Sequence, residues 1–210
     1  GLGNTSFVGF PILEALIGHE AIPVGVIVDQ AGSFLVLSTL GIVVAAIYSG
    51  TQVSSKMILK RILTFPPFLS LVMSIAWVLL GGRGHVALSG IFERISLTLV
   101  PLALFSFGLQ IKVSTKILKK RWRPLLLGLF FKLFFLPALF TLLYWKGFSG
   151  ANDLTIRVTI LEAAMATMFT SAVVATEFNL DGELAQLMVG VGVPLSLITV
   201  SFWNYILFLK

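Results

Sequence analysis

The sequence has no cysteine, and only 11% of its 210 residues are charged. The first absence excludes disulfides without fixing the compartment. The second excludes an ordinary soluble domain, which carries roughly 25% charged residues and needs them to face water. Histidine is scarce too. His19 and His85 both sit near the ends of apolar runs, and neither His-x-x-x-His nor Gly-x-Ser-x-Gly occurs. Without a metal cluster or an activated serine, the chain does not read as an enzyme, and no cofactor or metal is implied. What is present is apolar: 57% of residues are hydrophobic, in long runs that do not alternate every second position. Lipid tolerates such a surface, but in hydrocarbon every backbone donor and acceptor must find a partner within the protein. Continuous runs then favour helices over barrel strands. The expected fold class is an all-α membrane protein, multi-pass, in the plasma or inner membrane.

A bilayer core takes about 20 apolar residues per helix. On that ruler seven spans are expected, over residues 3–18, 22–48, 64–82, 92–111, 124–146, 155–178 and 184–208. The chain opens Gly-Leu-Gly-Asn, without an initiator Met, a basic leader or a cleavage site, and so reads as a piece that opens inside a larger protein. Two connections are strongly basic. Residues 50–63 hold Lys56, Lys60 and Arg61; residues 112–123 hold Lys112, Lys116, Lys119, Lys120, Arg121 and Arg123. Alternating spans put both on one side, against Arg83, Arg94, Lys146, Arg157 and Lys210 on the other. The positive-inside rule makes the first side cytoplasmic and the C-terminus external. The net charge of +6 is therefore a topology signal, and nucleic-acid binding is not expected.

Ionisable residues at membrane depth are costly and face a partner or a wet cavity. Asp29 lies in Val-Ile-Val-Asp-Gln-Ala-Gly-Ser, Lys132 in Gly-Leu-Phe-Phe-Lys-Leu-Phe-Phe-Leu-Pro, and Glu162 in Thr-Ile-Leu-Glu-Ala-Ala-Met. An ion or substrate pathway uses such groups, whereas a bland alternative has each one snorkelling or in a structural pair. Glu14 and Glu177 fit an interfacial position better.

The first span reads Gly3-Asn4-Thr5-Ser6-Phe7-Val8-Gly9-Phe10-Pro11-Ile12-Leu13-Glu14. Polar residues, a glycine and a proline within nine positions predict a break near Asn4–Pro11, with Pro11 in the first turn of a new half-helix. That half-helix aims its positive end at the gap, a ready anion site. Residues 163–171 are a second small and hydroxyl-rich stretch. Each stretch leads through a polar turn, Gly18-His19-Glu20 or Asp181-Gly182-Glu183, into a long apolar helix; the windows align at a shift of 163 residues, which also pairs Ser33 with Ser196. Alternation puts the first turn outside and the second inside. Equivalent units in opposite orientation are what an inverted-repeat transporter requires.

The segment Asn4-Thr5-Ser6-Phe7-Val8-Gly9-Phe10-Pro11-Ile12 resembles the signature of the auxin efflux carrier family, which includes PIN-like proteins and malate permease-like carriers. Glu162-Ala163-Ala164-Met165, with Val173-Val174-Ala175 and Asp181-Gly182-Glu183-Leu184-Ala185, resembles the family's second crossover and its exit. The resemblance covers nearly the whole chain. It implies a ten-helix secondary transporter of two inverted five-helix repeats, an efflux carrier or permease that moves an organic anion by alternating access. Residues 1–49 would then be the last two helices of the first repeat, 50–63 a cytoplasmic basic loop, and 64–210 the complete second repeat. The first three helices of the ten would lie before Gly1. By position, Asn4 offers its amide to a substrate carboxylate with Thr5 and Gly9 beside it, and Pro11 sets the break. Thr167, Thr170 and Ser171 supply hydroxyls. Asp29 and Glu162 are candidates for coupling to a proton or sodium, with Lys132 balancing one of them or attracting the anion. A homodimer is compatible with the resemblance. In one departure, Ala166 stands where the family usually has a proline, which lets residues 163–171 run as a nearly continuous helix.

Two other classes compete. A sodium-coupled bile-acid-type symporter has a similar two-repeat plan. A seven-helix receptor matches the span count, but retinal proteins need a Lys in the last helix, and the final span has none before Lys210.

Overall fold

Apolar runs that must satisfy their own backbone donors become helices, and helices dominate the computed structural model. It describes residues 1–50, 54–64, 66–82, 86–98, 101–102, 105, 109, 115–147 and 153–208. In chain order these form α1 (Thr5–Leu16) and α2 (Ala21–Ser49), α3 (Ser55–Leu63), α4 (Pro66–Leu79) and α5 (Val86–Ser96). After them come α6 (Thr115–Tyr144), α7 (Asp153–Ala164), α8 (Phe169–Glu177) and α9 (Gly182–Phe208). The described residues outside helices are turns and short extended pieces, with one isolated antiparallel bridge between Gly3 and Thr167.

Among the described residues, three helices, α2, α6 and α9, are long and apolar enough to cross a bilayer. Their outward faces expose large apolar side chains such as Leu40, Ile47, Leu127, Phe130 and Ile198. In water that surface would aggregate; in a membrane acyl chains cover it. The inward faces build the core. Val8 and Leu13 of α1, Val158 and Leu161 of α7, and Val189, Val193 and Val200 of α9 form one buried cluster. A second joins Leu125, Leu129 and Leu133 of α6 to Leu187 of α9. Where α6 meets α9, a Cβ at Gly128 would come 2.6 Å from Met188 Sδ, so the Met188 side chain lies directly over this glycine. Gly18 ends α1 with φ of +120°, and Gly50 ends α2 with φ of +70°, conformations that glycine adopts without steric cost.

The structure departs from expectation in four places. The backbone does not break between Asn4 and Pro11: α1 runs unbroken from Thr5, and the non-helical residues are those up to Asn4. Pro11 does sit in the first turn of the regular α-helical part. The turn before it is widened to π geometry over Thr5–Gly9, with Gly9 N donating to Asn4 O at 2.9 Å. That widening accommodates a proline ring that would crowd an ordinary turn. Second, residues 163–171 are not continuous. α7 stops at Ala164 and α8 starts at Phe169 although Ala166 is no proline. Third, residues 115–123 of the expected basic loop are the start of α6. Fourth, residues 55–63 of the other basic loop form α3, capped where the Ser54 hydroxyl accepts from Met57 N at 3.3 Å. Residues 99–100, 103–104, 106–108 and 110–111 of the expected span over 92–111, together with Lys112, Arg83, His85 and Lys210, lie outside the described residues.

Candidate functional site

Two non-helical stretches meet beside each other. The extended residues before α1 lie antiparallel to those between α7 and α8: Asn4 N donates to Ala166 O at 2.7 Å, and Met168 N donates to Leu2 O at 3.0 Å. Each stretch thus satisfies peptide groups of the other that a helix would satisfy internally, as a hydrocarbon surrounding requires. The N-termini of α1 and α8 start at this junction and bring positive dipole ends to it. The C-terminus of α7 ends there with its negative end. Lys132 covers that end, its Nζ donating to Ala163 O at 2.7 Å.

The polar residues gathered here are buried, and many of their atoms have no protein partner. Among the described residues, Asn4 Nδ2 and Oδ1, Thr167 Oγ1, Gln30 Oε1 and both carboxyl oxygens of Glu162 are buried without a hydrogen bond. Native interiors leave few such groups, and each one points to a role that packing does not explain. Asp29 is better supplied, accepting from Thr5 Oγ1 and from Gln30 Nε2. It sits in a π-helical stretch of α2 over Val28–Phe34, and Lys132 sits in another, in α6 over Phe131–Phe135. Such widened turns inside α-helices recur at functional sites.

Gly9 makes room for Glu162, and Gly25 borders it. A Cβ at Gly9 would lie 2.6 Å from Glu162 Oε2 and 2.9 Å from Oε1; one at Gly25 would lie 3.5 Å from Oε1. Gly9 follows Thr5 by one turn on α1, and Gly25 precedes Asp29 by one turn on α2. The Glu162 carboxyl therefore enters a notch between α1 and α2, one layer along from the Thr5–Asp29 hydrogen bond. Gly3 is equally confined, since a Cβ there would meet Glu162 O at 2.9 Å and Lys132 Nζ at 3.3 Å.

A cavity of about 510 Å³ opens beside the junction, between the extended first residues, α2, α6 and α7. Its polar lining comes from Thr5, Ser33, Lys132, Tyr144, Thr159 and Glu162, and the rest is largely apolar. This is the composition of a small-molecule site, with an apolar body and a few placed polar groups.

Of the ten residues singled out from the sequence, Thr5, Lys132 and Glu162 line the cavity, Asp29 lies behind Thr5, and Gly9 touches Glu162. Asn4 and Thr167 are buried in the junction itself. Thr170 and Ser171 lie past it in the first turn of α8, half-buried, and the Ser171 hydroxyl donates to Met168 O at 2.6 Å. Pro11 is not part of the cavity lining. Lys132 makes no ion pair with Asp29 or Glu162; its hydrogen bond goes to the helix end. Sequence reasoning missed Gly3, Gly25, Gln30, Tyr144 and Thr159. Gly25 was within reach, because it stands one helical turn from Asp29. Arg157, read as a topology charge, also has a built-in place: its Nε donates to Asn204 Oδ1 at 2.9 Å, and one Nη donates to Leu16 O at 3.1 Å, joining α7, α9 and the end of α1.

A family model described as membrane transport protein matches residues 1–204. The chain is 28% identical over 205 residues to an uncharacterised transporter of Methanothermobacter thermautotrophicus, covering 97% of the chain and 65% of that protein. It is 29% identical over 210 residues to an uncharacterised transporter of Methanocaldococcus jannaschii, covering 98% of the chain and 66% of that protein. The chain thus spans about two thirds of the length of these relatives. No solved structure matches.

Proposed function

We propose that this chain, which belongs to the membrane transport protein family typified by the auxin efflux carriers, forms the larger part of a secondary carrier that moves an organic anion by alternating access. The observation that carries this reading is the pair of abutting non-helical stretches, with the unpartnered amide of Asn4 and hydroxyl of Thr167 between them. Two helix N-termini and the ammonium of Lys132 suit a carboxylate. The apolar remainder of the cavity suits the carbon skeleton of an acid such as malate or an auxin-like compound.

Asp29 and Glu162 are the coupling groups in this reading. Two carboxyls beside an anion site oppose anion entry unless a cation accompanies the substrate, and a proton or sodium ion is that cation. Residues 1–49 belong to the first repeat and 64–210 to the second; the support is that a half-helix, a turn and a long helix occur twice, as α1–α2 and as α8–α9. The basic ends of α3 and α6 face the cytoplasm of a plasma or inner membrane that the chain crosses several times.

The test is uptake by the full-length protein reconstituted in liposomes. Saturable uptake of a carboxylate is expected, and no uptake across a panel of organic anions would overturn the reading. Asn4→Ala should weaken apparent substrate affinity by roughly tenfold, the effect of removing one hydrogen bond to a charged group; unchanged affinity rejects that contact. Asp29→Asn should leave a folded protein whose uptake no longer responds to an imposed ion gradient, and a normal response rejects the coupling role. Proton dependence without sodium dependence removes the bile-acid-type symporter.

A further inference from the structure

We propose that the exposed face of α6 is a binding site for an anionic phospholipid, with the headgroup phosphate on its basic first turns and an acyl chain along the apolar stretch that follows. Lys116, Lys119, Lys120 and Arg123 recur at helical spacing and are all exposed. At about 100° per residue they share one face with Leu127, Phe130 and Phe134. Leu127 is 72% exposed and Phe130 63%, and the rings of Phe130 and Phe134 stack at 5.9 Å between centroids. A single stripe therefore changes from cationic to apolar between Arg123 and Leu127. Each half is about 10 Å long at 1.5 Å per residue. That is the order in which a phospholipid presents its phosphate and then its chains.

The opposite face of α6 is committed elsewhere, which fixes the direction of this face. Ile117, Leu118, Leu125, Leu129 and Leu133 pack on or beside α9. Arg121 leaves the stripe to pair with Asp181 at 3.1 Å. No Asp or Glu occurs between Lys112 and Lys132, so α6 itself supplies no counter-charge to the four cations. Trp122 is 50% exposed at the level of the change, with the Arg123 guanidinium 5.3 Å from its ring centroid. An aromatic and a cation together at that depth mark a headgroup boundary. A soluble polyanion would match only the basic half and leave the apolar half unexplained. A basic cluster at the end of a spanning helix attracts anionic lipid. This site is independent of which solute is carried. It acts on α6, the helix that carries Lys132 to the cavity.

Tryptophan quenching by brominated lipid tests it, with the full-length protein in phosphatidylcholine bilayers containing a minor fraction of brominated lipid. Brominated phosphatidylglycerol should quench more than brominated phosphatidylcholine at the same fraction, corresponding to on the order of tenfold local enrichment. Trp122→Phe should remove most of that excess. Lys119→Gln/Lys120→Gln/Arg123→Gln should bring enrichment to about twofold or less, whereas Lys56→Gln/Lys60→Gln on α3 should retain it. Equal quenching of the unaltered protein by the two lipids overturns the proposal without any variant. So does undiminished enrichment in the α6 variant, or an equal loss in the α3 variant, which would mean a diffuse basic surface. Excess soluble glycerol 3-phosphate should leave the enrichment intact; its loss would mean headgroup-only binding and would also overturn the proposal.

Discussion

Thr167 presents, at the scale of one residue, a choice between structure and function. Its hydroxyl is buried without a partner, and a protein built for stability alone gains nothing from that. Thr167→Val keeps the shape and removes the unmet group, so stability should hold or rise by up to about 1 kcal/mol. If the hydroxyl serves the substrate, apparent affinity for the anion should fall at the same time. Thermal unfolding beside an uptake assay checks both, and a loss of stability with unchanged affinity would make the residue structural. Asp29, Lys132 and Glu162 could be picked from the sequence because charge in an apolar run is conspicuous. The notch that receives Glu162 could not. Gly9 and Gly25 lie on different helices, and only the folded chain shows that the space a Cβ at Gly9 would take is filled by a carboxyl from a third.

Helix ends decide the chemistry at the scale of the element. Lys132 looked like a counter-charge for a carboxylate, yet its hydrogen bond goes to Ala163 O and closes the end of α7. Lys132→Met keeps the apolar stem and removes the donor, leaving that carbonyl uncapped beside the junction. The expected cost is about 1.5–3 kcal/mol, the range for a hydrogen bond to a charged group. Anion uptake should fall as well, and a denaturation midpoint equal to the parent's would remove the capping role. The second break teaches the same lesson. A proline would have announced it, and Ala166 announces nothing. The helix ends there because its peptide groups are met by Leu2 and Asn4 from far away in the chain. Basic segments behave differently, since Lys and Arg are strong helix formers and α6 simply continues outward through them.

Two contacts test the alternation of spans at the scale of the whole molecule. Arg121 pairs with Asp181, so the start of α6 and the α8–α9 turn lie at one end. Arg157 reaches Leu16 O, so the start of α7 and the α1–α2 turn lie together as well. Both pairings agree with the sidedness expected from counting spans. In a cysteine-free background, Lys56→Cys and Lys119→Cys should react with an impermeant thiol reagent from the cytoplasmic face only, and Glu20→Cys from the outer face only. Labelling of all three from one face would refute the topology.

The sequence by itself determined the solvent and the class. Scarcity of charge and length of the apolar runs leave helices in lipid as the physical solution, and the motif around Asn4–Pro11 pointed to the family. Those properties are local sums, and a linear string carries them. Tertiary structure alone decided where the helices break, which peptide groups answer each other across the junction, and what Lys132 and Glu162 touch. These are pairings between distant segments, 31 residues apart for Lys132 and Ala163 and more than a hundred across the junction, satisfied because hydrocarbon offers no water to take the partner's place.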